Sequence, residues 1–194
     1  MTDERAKAAL IDAIALLERA INYTLGSLHV VTPEALSRAT PCKDWDLRAL
    51  LAHVNDSLMA LHEATRGSVD LDPSAEDGDP AIDPVTTLRN RACRLLGART
   101  TARGQDIIAI EGCPLTTSIV TSIGAVEVAV HGWDIAQACG RHRPIPCALA
   151  EEMLQLSPLF VTDDDRPARF AAPVDVPPLA SRGDRLIAFL GRHP

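Results

Sequence analysis

The sequence predicts an all-α protein, a bundle of four long helices with shorter accessories, and three observations carry that prediction. Apolar residues recur every three or four positions through four separate stretches, the spacing that lines one face of an α-helix. Hydrophobic residues make up 46% of the 194-residue chain but aromatics only 3%, so the core must be assembled from Leu, Ile, Val and Ala. Leu and Ala among these favour helices. Segments rich in Gly and Pro separate the stretches, where helices would have to stop. A chain of this length suits one domain and buries enough apolar surface to stand without staples. The expected organisation is a single helical domain over residues 1–194, with 141–194 as a C-terminal extension packed on the bundle.

Taken in order, the first helix starts near Thr2 or Asp3, with Thr2 as a candidate N-cap and acidic residues in the first turn. Its stripe is Ala9, Leu10, Ala13, Ile14, Leu17, Ala20, Ile21 and Leu25, and Gly26 is expected to end it. A connector with a short helical turn over 34–37 leads to the second helix, capped by Asp44 or Asp46. That helix carries Leu47, Leu50, Leu51, Val54, Leu58 and Leu61 and is expected to stop near Gly67. Residues 68–84 are acidic and rich in Pro and Gly, the composition of a mobile surface loop.

The third helix is expected over 84–102, with Asp83 as N-cap and Pro84 at the first helical position. Runs favouring β-structure around 107–110 and 116–120 suggest a small β-hairpin before the fourth helix. The fourth helix is expected over 121–138, ending near Gly140. Beyond Pro144 and Pro146 lie a helical stretch over 148–156, a Pro-rich extended segment and a short C-terminal helix within 181–192.

The formal charge of −7 and pI near 5.3 argue against nucleic acid as the main partner, because phosphate binding needs a basic face. They give no attraction to an anionic membrane either. No stretch reaches the roughly 18 to 20 unbroken apolar residues of a membrane span. The N-terminus mixes charges of both signs through its apolar positions, unlike a secretory signal, so a cytoplasmic protein is expected. Cys42, Cys93, Cys113, Cys139 and Cys147 are scattered, with no C-x-x-C pair. They read as free thiols packed as small apolar groups.

The segment from Ile123 to Asp134 carries the chemistry. Glu127 is the only charge between Ser122 and His131, and a carboxylate in such surroundings is costly unless paired, protonated or bound to a cation. His131 follows four residues later, so both side chains share one helix face and offer an oxygen and a nitrogen to one point. The plain alternatives are a buried Glu–His hydrogen bond or a Glu that faces water. His53 sits beside the apolar stripe of the second helix, where a lone histidine is more often a hydrogen-bonded core residue than a ligand. If the second and fourth helices are neighbours, His53, Glu127 and His131 would converge as three metal ligands with an open fourth position, the pattern of a catalytic rather than a structural zinc site.

Asp134, three residues after His131, either orients that imidazole from behind or is simply a charge on the helix face. Trp45 and Trp133 read as packing anchors that could also line the mouth of the site. Cys42 stands just ahead of a helix N-terminus, where thiol pKa values can fall, but Lys43 and two Asp residues leave no clear net field. A structural role for Cys42 is therefore favoured. His29, His62, His142 and His193 read as solvated surface. No nucleophile elbow, phosphate-binding Gly loop or H-E-x-x-H pair is present.

Three segments together resemble a known family. Thr40-Pro41-Cys42-Lys43-Asp44-Trp45-Asp46, followed by Leu50-Leu51-Ala52-His53-Val54, resembles the T-P-C-x-x-W lead-in to that family's metal-binding helix. Glu127-x-x-x-His131-Gly132-Trp133-Asp134 resembles its E-x-x-x-H-x-W-D helix, and Asp184 to Arg192 is similar to its C-terminal D-R-L-L-A-F-L-G-R. The family is the DinB-like superfamily, in the branch of the mycothiol-dependent maleylpyruvate isomerase N-terminal domain.

The resemblance implies a DinB-like four-helix bundle with up-down-down-up connectivity and one divalent ion, usually zinc, held by His53, Glu127 and His131. It further implies mycothiol as the thiol cosubstrate, kept as thiolate by the ion and delivered to an electrophilic substrate. Residues 141–194 are too few for the further C-terminal domain of the isomerase itself, so an S-transferase is expected ahead of maleylpyruvate isomerisation. The alternatives are a non-catalytic metal- or small-molecule-binding bundle, its site closed by Cys42 or Asp134, and a structural bundle in which Glu127 and His131 only pair. Bundles of this kind often associate through a helix face, which leaves a homodimer open.

Overall fold

Periodic apolar stripes become helices here because each stripe finds a partner to bury it. In the computed structural model, which describes residues 2–64, 68–69, 83–98, 107–110, 113–164, 166 and 170–194, the protein is mainly helical. The helices are α1 (Thr2–Ser27), α2 (Leu47–Ala64), α3 (Pro84–Ala98), α4 (Thr117–Ala138), α5 (Cys147–Leu156) and α6 (Arg182–Phe189). α4 lies against both α1 and α2, α2 also packs on α3, and α5 packs on α6.

Each start has a local cause. Of the two candidate caps for α2, Asp46 is the one used: its carboxylate accepts from the Ala49 N–H at 2.8 Å. Asp83 caps α3 by accepting from the Thr86 N–H at 3.1 Å. α6 opens with a capping box, Ser181 accepting from the Asp184 N–H while the Asp184 side chain accepts from the Ser181 N–H. The expected ends of the second helix near Gly67 and of the third at 102 lie outside the described residues, as do 70–82 of the expected loop.

Three expectations need correction. α1 does not stop at Gly26 but runs on to Ser27 and into a 3-10 turn over Leu28–Val30. Gly26 serves close approach instead: a Cβ there would lie 2.1 Å from Nη2 of Arg143. The hairpin is formed by β2 (Ile107–Ile110) and β3 (Cys113–Thr116), with Ile107 opposite Thr116 and Ile110 opposite Cys113. β1 (Ser68–Val69) pairs parallel to β2, so residues 68–69 of the expected loop are strand. Residues 117–120 are the first turn of α4, which therefore starts at Thr117 rather than 121. The β-preference of Thr, Ile and Val spans only about 1 kcal/mol and depends on context; packing Val120 against the core from a helical turn outweighs it.

α4 is buried almost all round from Thr121 to Ala136, the mark of a helix at the centre of a core. By length and composition it would be able to cross a membrane, but 72% of that apolar window is buried inside the protein. Two glycines let its neighbours come close. A Cβ at Gly124 would lie 2.4 Å from Leu61 of α2, and one at Gly132 would lie 2.4 Å from Oγ1 of Thr24 of α1. The Thr24 hydroxyl uses that proximity to donate to the Val128 carbonyl at 2.7 Å. Residues 141–194 share the same core, through Leu149, Ala150, Met153, Leu186, Ile187 and Leu190.

Candidate metal centre

The turn ahead of α2 shapes one wall of the site. The Thr40 N–H donates to the Trp45 carbonyl and the Trp45 N–H to the Cys42 carbonyl, both at 3.2 Å, while the Thr40 hydroxyl accepts from the Cys42 N–H. Asp44 takes a φ of +65° inside this turn, a left-handed conformation that Asp tolerates better than most residues. The closed turn directs the half-buried Cys42 inward and lays the Trp45 ring 4.7 Å from that of His53.

His53 comes from α2, and Glu127 and His131 from successive turns of α4. The close packing of α2 on α4 brings them together. Oε1 of Glu127 lies 2.6 Å from Nε2 of His53 and 2.9 Å from Nε2 of His131. One ligand atom from each of the three falls within 4.8 Å of the others. Side-chain exposure falls from 37% at His53 and 34% at Glu127 to 7% at His131, so the cluster is closed from behind and open in front. Trp45 stands at that opening, partly exposed, whereas Trp133 is buried in the core.

Behind His131 lies a second layer. Its Nδ1 lies 2.9 Å from Oδ2 of Asp134, a wholly buried carboxylate rather than a charge on the helix face. Arg192 donates to the same carboxylate, Nε to Oδ1 at 2.9 Å and Nη2 to Oδ2 at 2.9 Å. The Cys42 thiol donates to Oδ2 of Asp134 at 3.3 Å and lies 3.6 Å from Nη2 of Arg192. Glu127, His131, Asp134 and Arg192 thus form a row in which carboxylates alternate with nitrogen groups.

That alternation sets the ionisation of each member. Burial opposes the Glu127 charge, but His131 and His53 outweigh it and hold the carboxyl far below its usual range. Burial likewise opposes a charged His131, yet the Glu127 charge and hydrogen bonds to Asp134, Cys42 and Glu127 raise its pKa well above the ordinary value. Burial would raise Asp134, and His131 and Arg192 pull it down instead. Burial would lower Arg192, and Asp134 keeps it raised.

Among the described residues, two groups of side chains have the spacing to hold a cation: His53, Glu127 and His131 through Nε2, and Cys42, His131 and Asp134 on the Nδ1 side. Arg192 decides between them, because its guanidinium already neutralises Asp134 and touches Cys42. A metal ion there would meet a fixed positive charge. On the Nε2 side two imidazole nitrogens and a carboxylate oxygen converge with no cation beside them among the described residues. Donors about 2.0–2.2 Å from a shared zinc ion lie about 3.3 Å apart, so Oε1 of Glu127, at 2.6 and 2.9 Å from the two imidazole nitrogens, is within an ångström of that spacing to each. Since the two ring nitrogens of His131 point in opposite directions, Cys42 and Asp134 do not close the Nε2 group.

Of the remaining histidines, His29, His142 and His193 are exposed and His62 is half-buried. Among the described side chains four cysteines are free; Cys42 and Cys139 are partly covered, whereas Cys93 and Cys147 are exposed rather than packed as expected, and the side chain of Cys113 lies outside the described residues. Cys147 is the first residue of α5 and Cys93 lies on the outward side of α3, so neither reaches the core. Arg192 had no role assigned from the sequence. The signal for it was indirect: a buried Asp134 requires a cation, and local spacing does not say which one.

A family model described as the mycothiol maleylpyruvate isomerase N-terminal domain matches residues 17–136. This span exceeds half of the chain and contains Cys42, Trp45, His53, Glu127, His131 and Asp134, while Arg192 lies beyond it. No curated protein and no solved structure matches the chain.

Proposed function

We propose a function from one premise: the chain belongs to the mycothiol maleylpyruvate isomerase N-terminal domain family. On that basis the protein binds one divalent ion, zinc by preference, through His53, Glu127 and His131, and uses it in isomerase or S-transferase chemistry on a low-molecular-weight thiol, mycothiol. The reading carries with it the DinB-like up-down-down-up connectivity of α1 to α4. The observation that supports it most is the convergence of Nε2 of His53, Oε1 of Glu127 and Nε2 of His131 at the open end of a buried charge network.

The ion, when bound, would supply the positive charge that keeps a thiol deprotonated at neutral pH and leave a fourth position for its sulfur. The protein's own groups do the rest. Asp134 holds Nδ1 of His131 and so aims Nε2 at the site. Leu50, Leu51 and Val54, buried on α2, exclude water from behind His53. Trp45 offers a flat, partly exposed ring at the opening, against which the carbon skeleton of an electrophile can lie.

The test is elemental analysis of the wild type beside His53→Ala and Glu127→Ala after dialysis without chelator, followed by cobalt substitution and titration with mycothiol. One equivalent of metal in the wild type, lost in both variants, with a thiol-dependent change in the cobalt spectrum, is expected. Metal-free wild type that refuses added zinc ends the metal reading. Metal without any response to thiol leaves a binding bundle and ends the catalytic one.

A further inference from the structure

We infer that Arg192 is a positioning residue of the metal centre, acting on His131 through Asp134 and so joining the C-terminal segment to the site. This rests on the proposed metal reading and concerns how the centre is held. Asp134 is fully buried, and the guanidinium approaches both of its oxygens: Nε at 2.9 and 3.1 Å, Nη2 at 2.9 Å. This two-oxygen grip fixes the plane of the carboxylate, which a single point charge would not do. The fixed carboxylate accepts from Nδ1–H of His131 at 2.9 Å, and that contact in turn settles which way Nε2 faces.

Arg192 is itself held in place. α6 ends at Phe189, and Gly191 takes a φ of +81°, a left-handed turn that reverses the chain. A Cβ at Gly191 would lie 2.6 Å from the Ala171 carbonyl oxygen, so the turn has space only for glycine. After it the Arg192 N–H donates to the Ile187 carbonyl at 3.0 Å, and Nη1 donates to the Leu190 carbonyl at 3.3 Å. The side chain is 13% exposed. A surface arginine kept for solubility would not be fixed at both ends and buried against an internal aspartate. Removing it leaves the buried Asp134 with only His131 and the Cys42 thiol beside it among the described residues, and the plane of the carboxylate that faces Nδ1 is no longer fixed.

The test compares zinc affinity, by competition with a chromogenic chelator, in the full chain and in Arg192→Met, Arg192→Lys and Ser181→Ala. Ser181→Ala weakens the cap of α6 without touching Asp134 and so controls for general loosening. Arg192→Met is expected to lose about 10- to 100-fold in affinity, the usual worth of a group behind a ligand. Arg192→Lys, with charge but no two-oxygen grip, should lose about threefold or more, yet less than Arg192→Met. Ser181→Ala should stay within about twofold of the wild type. In nitrogen-labelled histidine spectra, the Nδ1–H resonance of His131 should shift in Arg192→Met and not in Ser181→Ala.

Wild-type protein that binds no zinc would overturn the metal reading itself. Zinc-binding wild type with unchanged affinity in Arg192→Met overturns the role of Arg192 alone, as does an equal loss in Ser181→Ala. Should Arg192→Met fail to fold, Arg192→Lys decides, and wild-type affinity in that variant counts against the inference.

Discussion

Nδ1 of His131 lies 2.9 Å from Oδ2 of Asp134, one turn further along the same helix. That contact divides the surroundings of a single imidazole in two. On the Nδ1 side stand Asp134, Cys42 and Arg192, already neutralised among themselves; on the Nε2 side stand Glu127 and, beyond it, His53. The consequences can be tested separately.

Glu127→Gln keeps size and hydrogen-bonding atoms but removes the negative charge between two imidazoles. Zinc binding should weaken by more than the about 10- to 100-fold expected for a residue behind a ligand. Chelator competition measures this, and affinity within twofold of the wild type would remove Glu127 from the ligand set.

Cys42→Ser should leave zinc affinity within about twofold, because the proposed donors are His53, Glu127 and His131 and the thiol is not among them. The serine hydroxyl can still donate to Asp134. A large loss of metal in this variant would mean that the thiol, 3.8 Å from Nδ1 of His131, reaches the ion after all.

Gly132→Ala tests the packing that places His131. The new methyl would lie 2.4 Å from Oγ1 and 3.0 Å from Cα of Thr24, and a backbone atom does not yield as a side-chain tip can. Stability should fall by about 1–3 kcal/mol as α1 and α4 are forced apart. An unchanged thermal midpoint would show that the two helices have slack here.

Tyr23 is the only tyrosine, so its ionisation can be read alone from tyrosinate absorbance. Burial raises its pKa from the ordinary 10.0, outweighing the nearby Arg143 charge, and its hydroxyl donates to the Arg143 carbonyl at 2.6 Å. A raised folded-state pKa means stability that is complete below pH 10 and lost as pH climbs toward the folded value. Wild type should therefore destabilise from pH 10 upward, with tyrosinate appearing as the fold opens. Tyr23→Phe should lose about 1 kcal/mol at neutral pH and show a flatter alkaline limb. Tyrosinate forming near pH 10 in fully folded protein would contradict the burial argument.

Much of this protein is written in short-range pattern. The stripes Ala13–Leu17–Ala20–Ile21 and Leu50–Leu51–Val54–Leu58–Leu61 set helices by periodicity alone, and Asp46 and Asp83 mark where helices start through side-chain contacts with the first turn. The pairing of Glu127 with His131 was legible for the same reason, since four residues along a helix return to the same face. Local pattern misled where propensity was weak. Residues 117–120 favour strand by composition yet fold as helix, and Gly26 marks a close approach rather than a stop.

What only the tertiary structure decided is which distant residues share a space. His53 joins a cluster 74 residues further on because Gly124 lets α2 settle against α4, and Arg192 reaches Asp134 from 58 residues away because Gly191 turns the chain back. The direction of Asp134 and the exposure of Cys93 and Cys147 were settled in the same way. Helix periodicity is a property of a few neighbouring dihedrals, so one stretch of sequence determines it. The meeting of α2, α4 and the segment after α6 is the sum of many weak packing contacts across the chain, and no single stretch contains that sum.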